Sequence, residues 1–238
     1  SMKVRAVTVF AAIDPDRVTP SLRAAGILAE RVRHALDRHG VEIQTVRIAL
    51  PPVDAIGVGR SGAARLHDLA LALDAESPAH GFGFASVGTI DAIGTADGAW
   101  QPLLDAAPDL VGATKQVAIT ATVGTRTASG AGTISLSACR MAGDVVAAIA
   151  RIGNDGFGNL RFAAIANVSP HVPFFPAAFH DRNEGMAVGL ALECADVVES
   201  AFAGATTLED ARARLVDGLT HVVDQVTTIS RGALAPHA

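Results

Sequence analysis

The chain is organised around Gly156-Phe-Gly-Asn-Leu-Arg-Phe-Ala-Ala-Ile-Ala-Asn167, continued by Val168-Ser-Pro-His-Val-Pro-Phe-Phe-Pro-Ala-Ala-Phe-His180-Asp-Arg-Asn-Glu184. Residues 161–168 form a nearly continuous apolar run, which predicts a strand buried on both faces. Prolines, aromatic rings and polar side chains follow that strand, which indicates a long and rigid loop. We therefore expect this stretch to place polar groups at the end of a core strand.

The remaining sequence alternates between strand and helix patterns. Strand patterns cover residues 4–13, 41–50, 82–87, 116–123 and 186–192. Helical patterns begin near Thr19-Pro20, Ala63, Asp97, Ala138 and Thr206. This alternation predicts an α/β fold with a mostly parallel sheet. We expect residues 1–238 to form a single α/β domain, with Ser1 as a cloning remnant.

Two helix starts carry capping signals. Thr19 precedes Pro20, which is a typical N-cap with proline at the first helical position. Thr206 and Glu209 have the spacing of a capping box at the start of the last helix.

Composition excludes several classes of protein. The net charge of −5 and pI of 5.9 argue against a nucleic-acid-binding protein. Apolar runs all stop short of the roughly 18 residues that a membrane-spanning helix needs. The amino end shows no signal-peptide pattern, and Lys occurs only at Lys3 and Lys115, as in Arg-rich proteins of GC-rich genomes. We expect a cytoplasmic bacterial protein that binds neither nucleic acid nor membrane.

Two glycine-containing runs have more than one interpretation. Gly57-Val-Gly-Arg-Ser-Gly62 matches the dinucleotide-binding pattern, but Pro51 and Pro52 separate it from the preceding strand, which favours a loop. The run Gly124-Thr-Arg-Thr-Ala-Ser-Gly130 could hold an anion with its backbone amides and Arg126. It could equally be a hairpin or a plain loop.

The central stretch resembles a prokaryotic family, domain of unknown function 711. The resemblance rests on Gly158-Asn-Leu-Arg-Phe-Ala-Ala-Ile-Ala-Asn167, on Pro173-Phe-Phe-Pro-Ala-Ala-Phe-His180 and on Glu184, and it extends to residues 2–8 and 41–47. The resemblance implies a fold similar to pyruvate formate-lyase and other glycyl-radical enzymes, whose barrels join two five-stranded parallel halves. On that basis we expect half of such a barrel in this chain, because family members are longer.

The resemblance does not carry radical chemistry to this chain. Arg231-Gly232 lacks the context of a radical glycine loop, and Cys139 and Cys194 lie in helical patterns typical of small buried residues. A half-barrel would leave an uncovered strand edge and an uncovered apolar sheet face. We therefore expect the chain to form a homo-oligomer or to pair with a separate second-half chain.

Candidate site residues fall where predicted parallel strands end, because ligands bind at that edge of α/β sheets. Arg47 follows the second strand pattern, Ser86 the third and Asn167 the fifth. His180, Asp181 and Glu184 lie in the loop after Asn167. His180 and Glu184 are candidate proton-transfer groups, Asn167 could polarise a carbonyl, and Arg47 could hold an anion, with Ser86, Arg126 and Asp181 as further substrate-binding residues.

Each candidate also has a structural interpretation. His180 could cap its loop, Asn167 could satisfy backbone groups after the strand, and Arg47 could be an ion-paired structural residue. A divalent metal on His171, His180, Asp181 and Glu184 is an alternative, although their spacing matches no strong metal motif. The prediction is a site without a metal or redox cofactor.

Two hypotheses for the function follow from these residues. The first is an enzyme that acts on a small polar or anionic metabolite by acid–base chemistry, with no radical step. The second is a non-catalytic ligand-binding or assembly subunit that completes a barrel with a partner chain.

Overall fold

Five parallel strands and two antiparallel strands form an open, mostly parallel sheet in the computed structural model, which describes residues 3–59, 62–93, 100–126, 132–153, 155–182 and 185–235. Within these ranges the chain contains seven strands and six α-helices. The predicted α/β fold class is confirmed, and the sheet is not closed into a barrel.

The strands are β1 (Lys3–Phe10), β2 (Glu42–Ala49), β3 (Phe84–Asp91), β4 (Val117–Arg126), β5 (Gly132–Ile134), β6 (Phe162–Ala166) and β7 (Ala187–Glu193). Their order is β5-β4-β3-β2-β1-β7, and β6 pairs in parallel with the earlier part of β4. The short strand β5 pairs antiparallel with the end of β4. The run that begins at Gly124 is therefore part of a hairpin, whose residues 127–131 lie outside the described ranges.

The helices are α1 (Val18–Arg38), α2 (Ala63–Glu76), α3 (Gln101–Ala113), α4 (Leu136–Ile149), α5 (Ala195–Ala203) and α6 (Leu208–Leu234). Helices α1 to α4 bury one face of the sheet in an apolar core, where Val9 and Ile48 pack with Leu22, Leu69 and Leu104. A second cluster joins Leu36 of α1 and Val226 of α6 to β1 and β7. Within the described ranges, none of the helices combines the length and apolar character needed to span a membrane.

The opposite side of the sheet, which we call the non-helical face, has a different cover. Thr8 and Phe10 of β1 lie in register with Arg47 and Ala49 of β2, and alternation along the strands turns all four side chains away from the helices. Residues 168–182, here called the covering segment, pack on this face. Its residue Ala178 is buried against Phe10 and Ala49.

The third strand is longer than the sequence pattern predicted. The prediction ended it at residue 87, whereas β3 continues to Asp91 through an irregularity between Ser86 and Thr89. Gly88 has φ +88° there, and a Cβ atom on it would lie 2.0 Å from the carbonyl oxygen of Pro51. The glycine therefore lets the strand bulge against a neighbouring turn instead of ending it.

The structure adds the direction of the last strand and corrects both capping predictions. Strand β7 is antiparallel to β1, a direction that the sequence pattern left open. Helix α1 begins before Thr19, and the Thr19 hydroxyl donates to Glu76 instead of capping the helix. The last capping box is displaced by one residue from the predicted pair: Thr207 Oγ1 accepts from the Asp210 amide, and the Asp210 carboxylate accepts from the Thr206 amide.

Candidate functional site

A cavity of about 580 Å³ lies beside the carboxyl ends of β3, β4 and β6. It is the place where a parallel α/β sheet usually binds its ligand. The polar part of its lining consists of Thr89, Asp91, Thr122, Thr125, Asn167, Ser169 and Arg182, and Pro170 and Phe179 contribute apolar walls. The cavity therefore offers hydroxyl, amide, carboxylate and guanidinium groups to a small polar molecule.

Hydroxyl groups from two neighbouring strands meet in this cavity. The Oγ1 atoms of Thr89 and Thr122 are 2.8 Å apart, and Thr89 is almost fully buried. Asp91, at the end of β3, accepts a hydrogen bond from the Ile93 amide with one carboxylate oxygen. These contacts orient polar side chains in the cavity lining.

Asn167 lies in the cavity lining, as expected from its position after β6. Its φ of 57° is left-handed, a conformation that asparagine tolerates better than most residues. The Asn167 amide donates to the Gly124 carbonyl at 3.1 Å, which continues the pairing between β4 and β6 for one more residue. The backbone thus turns sharply at Asn167 while its side chain stays at the strand end.

Arg182 contributes a charge that is already paired. Its guanidinium forms a two-point contact with the Asp54 carboxylate, with N–O distances of 2.6 and 2.9 Å. Asp54 raises the pKa of Arg182, chiefly through that hydrogen bond, and Asp91 and Asp181 add to the effect. The pair ties the covering segment to the turn after β2.

Two imidazoles lie side by side in the covering segment. Nε2 of His171 is 2.8 Å from Nδ1 of His180, and the Asp181 amide donates toward the same His171 nitrogen at 3.4 Å. His171 Nε2 therefore acts as the acceptor, which assigns the proton of His180 to Nδ1. The assignment makes Nε2 of His180 the unprotonated ring nitrogen, and that atom is buried.

Burial, ring packing and backbone hydrogen bonds fix the position of the imidazole pair. His180 is 1% exposed, and the His171 ring meets the Phe10 ring edge-on with centroids 5.1 Å apart. The His180 amide donates to the Leu50 carbonyl, and the His171 amide donates to the Phe179 carbonyl. Phe179 and Arg182, on either side of His180 and Asp181, both line the cavity. The pair thus lies in the same stretch of chain that forms one cavity wall.

Arg47 and Ser86 occupy other positions. Ser86 is fully buried within β3, not at its end, and its hydroxyl accepts from the Gly88 amide at the bulge. The Arg47 guanidinium lies 5.8 Å from the Phe84 ring centroid and 5.1 Å from that of Phe175. Strands β3 and β4 separate Arg47 from Asn167, which at about 4.8 Å per strand is about 14 Å across the sheet.

Two predicted residues cannot be placed. Glu184 lies outside the described residues, and for Arg126 only the backbone at the end of β4 is described. Asp181 lies next to the imidazole pair through its amide. Within the described ranges, no group of three or more His, Cys, Asp and Glu side chains is placed to hold a metal ion.

Several site residues were not predicted. His171 was considered only as a metal ligand, and its pairing with His180 has no periodic signal because the two lie nine residues apart in an irregular segment. Thr89 and Asp91 were missed because β3 was ended too early. Asp54 gave no signal, since its partner Arg182 is distant in sequence.

Comparison with known proteins assigns this arrangement to no reaction. The family model described as "Uncharacterised ACR (DUF711)" matches residues 1–234. A "UPF0210 protein" of Pyrobaculum islandicum is 29% identical over 214 residues, which cover 84% of this chain and 45% of that protein. The chain therefore spans about half the length of the curated relative that it matches.

Proposed function

The chain belongs to the DUF711 family, and from this premise we propose that it is an enzyme that acts on a small polar or anionic metabolite by acid–base chemistry. The observation that carries the proposal is the hydrogen-bonded His171–His180 pair in the covering segment, whose residues Phe179 and Arg182 line the cavity at the strand ends. From its composition, we also propose that the protein is cytoplasmic and of bacterial origin.

His180 is the proton-transfer group in this proposal. Imidazole changes its charge closer to neutral pH than other common side chains do, which suits it to take up and return a proton. Nε2 of His171 accepts a hydrogen bond from Nδ1–H of His180. This bond orients the His180 ring and makes its Nε2 the basic nitrogen. His171 is thus a positioning residue, comparable in role to the group that orients the histidine of a catalytic triad.

The cavity residues bind and polarise the substrate. The side-chain amide of Asn167 can donate to a substrate carbonyl oxygen on which negative charge develops. The paired hydroxyls of Thr89 and Thr122 can bind other substrate oxygens. Glu184 remains a proposed second proton-transfer group on the strength of its sequence position alone. We propose no radical step, because Cys139 lies within α4 and Cys194 precedes α5, in separate elements.

Proton exchange provides the direct test. Pools of small polar metabolites in D₂O are incubated with the protein, and loss of carbon-bound proton signals is followed by NMR. We expect the wild type to exchange carbon-bound protons and His180→Ala to lose this exchange. Asn167→Gly should reduce exchange strongly, because glycine keeps the left-handed backbone but lacks the side-chain amide. Arg140→Gln, an exposed change on α4, serves as the matched control.

Two outcomes would contradict the proposal. Exchange that persists in a folded His180→Ala protein would remove His180 from the chemistry. Unfolding of His180→Ala together with full exchange in His171→Gln would assign the pair a structural role.

A specific surface favours a second candidate, a subunit that completes its fold with a partner chain. Strand β7 is an edge strand, and an apolar groove of about 400 Å³ lies between it and α6, lined by Val188, Leu190, Leu192, Val223 and Leu234 among others. Large apolar groups left exposed on this side favour burial against another chain. Native mass spectrometry tests this candidate: a homo-oligomer or a retained partner would support it, and a stable monomer in dilute solution would contradict it.

A further inference from the structure

Arg47 is a half-buried cation for which the described residues supply no carboxylate partner. Its Nε donates to Thr45 Oγ1 at 3.0 Å, which leaves the outer edge of the guanidinium, with its two terminal amino groups, without a protein acceptor in the described ranges. By contrast, Arg33, Arg65, Arg182 and Arg214 all form ion pairs with Asp or Glu. A buried cation that lacks a counter-charge is costly, so its retention needs an explanation.

Two aromatic rings shape the space around this cation. Phe84 precedes Ser86 on the non-helical face of β3, and Phe175 comes from the covering segment. Both rings lie within about 6 Å of the guanidinium carbon, a distance at which ring and cation attract each other. Phe84 is 40% exposed, so the site opens to solvent on one side. The rings contact the guanidinium from two different elements, and Arg47 is itself partly exposed.

The surrounding charge also favours an anion. Burial lowers the pKa of Arg47, and the positive charge of Arg5 lowers it further. Arg5 itself contacts Glu193 at 3.7 Å and donates to Gln44, so its charge is only partly balanced at an exposed position. A bound oxyanion would offset both the cost of burying the Arg47 charge and its repulsion by Arg5.

We propose that Arg47, between Phe84 and Phe175, forms an oxyanion-binding site on the non-helical face, specific for a carboxylate or a phosphate ester. Two parallel N–H···O bonds from the outer edge of the guanidinium would hold the anion. The site is separate from the cavity at the strand ends, because β3 and β4 lie between Arg47 and Asn167. It is independent of proton transfer by His180.

Calorimetric titration tests this site directly. Inorganic phosphate and acetate are titrated in turn at constant ionic strength into the wild type, Arg47→Gln, Arg47→Lys and the control Arg140→Gln. We expect binding of at least one anion to the wild type, weakening by about ten-fold or more in Arg47→Gln, and a smaller loss in Arg47→Lys, which keeps the charge without the fork. The anion that binds identifies the source, phosphate or carboxylate. Binding that is equal in wild type and Arg47→Gln, or absent from the wild type with both anions, would overturn the proposal.

Chemical protection of the unaltered protein covers the case in which Arg47→Gln does not fold. Phenylglyoxal reacts with accessible arginines, and mass spectrometry measures the extent at each position. We expect phosphate or acetate to slow the reaction at Arg47 and to leave Arg140 unaffected. Equal rates at Arg47 with and without both anions would overturn the proposal. Asn167→Gly should leave the protection at Arg47 unchanged, which separates a failure of this site from a failure of the acid–base site.

Discussion

His171 accepts a hydrogen bond from His180 across 2.8 Å, in a segment that lies on the sheet face away from the helices. The two imidazoles form a buried polar pair in which one ring fixes the tautomer of the other. Such a pair contributes to the stability of the folded protein, and this contribution can be measured separately from the proposed role in proton transfer.

We expect His171→Ala to destabilise the protein by about 1–3 kcal/mol, because the buried Nδ1–H of His180 loses its acceptor. Urea unfolding of His171→Ala, His180→Ala and the double variant measures the coupling between the rings. The double variant should be less destabilised than the sum of the single variants. Strict additivity would contradict a direct bond between the two imidazoles.

Gly189 permits the covering segment to approach β7. A Cβ atom there would lie 2.9 Å from Cε2 of Phe10 and 3.2 Å from Cβ of Pro173, so Gly189→Ala should destabilise the protein by about 1–3 kcal/mol. Gly143→Ala is the matched control, since its Cβ meets nothing within 4 Å on α4. The control should stabilise the protein by up to about 1 kcal/mol. Equal unfolding free energies for both variants would contradict close packing at Gly189.

Arg161, directly before β6, binds the carboxyl end of α3. Its guanidinium donates to the Val111 carbonyl at 2.7 Å and to the Thr114 carbonyl and hydroxyl at 2.9 Å. Arg161→Lys should cost about 1–3 kcal/mol, because a lysine ammonium cannot reproduce the fork. Thermal unfolding beside Arg140→Lys measures this, and equal melting temperatures would show that the fork is dispensable.

The capping box of α6 predicts that the stability of the folded protein depends on pH. The hydrogen bond from Arg214 lowers the pKa of Asp210 below its ordinary value of 3.8, and the Thr206 amide lowers it further. A lowered pKa in the folded state means that the contribution is complete above the ordinary value and is lost as pH falls through the folded one. Stability should therefore depend less on pH below about 4 in Asp210→Asn than in the wild type. Identical slopes in the two proteins would exclude this contribution.

The same helix start distinguishes the observed cap from the predicted one. Thr207→Ala should cost about 1 kcal/mol because Thr207 Oγ1 accepts from the Asp210 amide, whereas Thr206→Ala should have little effect. Chemical unfolding of the two variants decides between them. A larger loss from Thr206→Ala would restore the cap expected from Thr206 and Glu209.

Sequence patterns predicted the fold class because strands buried on both faces have long apolar runs, as in β1. The expectation that the strand in residues 161–168 is buried on both faces was wrong, since Ala164 and Ala166 of β6 are exposed. The patterns also failed where a tertiary contact decides the local structure. The bulge at Gly88 depends on the nearby Pro51 carbonyl, and the antiparallel direction of β7 depends on the path of the covering segment. Periodicity within one stretch contains neither piece of information.

Only part of the candidate site was predicted, because sequence patterns carry no information on tertiary contacts. Asn167 lies at a strand end, which an apolar run followed by a polar residue marks clearly. The partners of His180 and Arg182 are side chains brought together by the irregular covering segment, so spacing could not indicate them. Whether the predicted residues act on a substrate stays a prediction.

The covering segment also bears on the order of folding. It is anchored by Leu50, about 130 residues earlier in the chain, and by Phe10, which is earlier still. Closing such long loops is entropically expensive, so contacts of this kind form slowly and late. The segment should dock only after β1, β2 and β7 have assembled, and the His180 amide should gain protection from hydrogen exchange after the amides of β1. The two histidines would then mark the final step by which the chain reaches its native state.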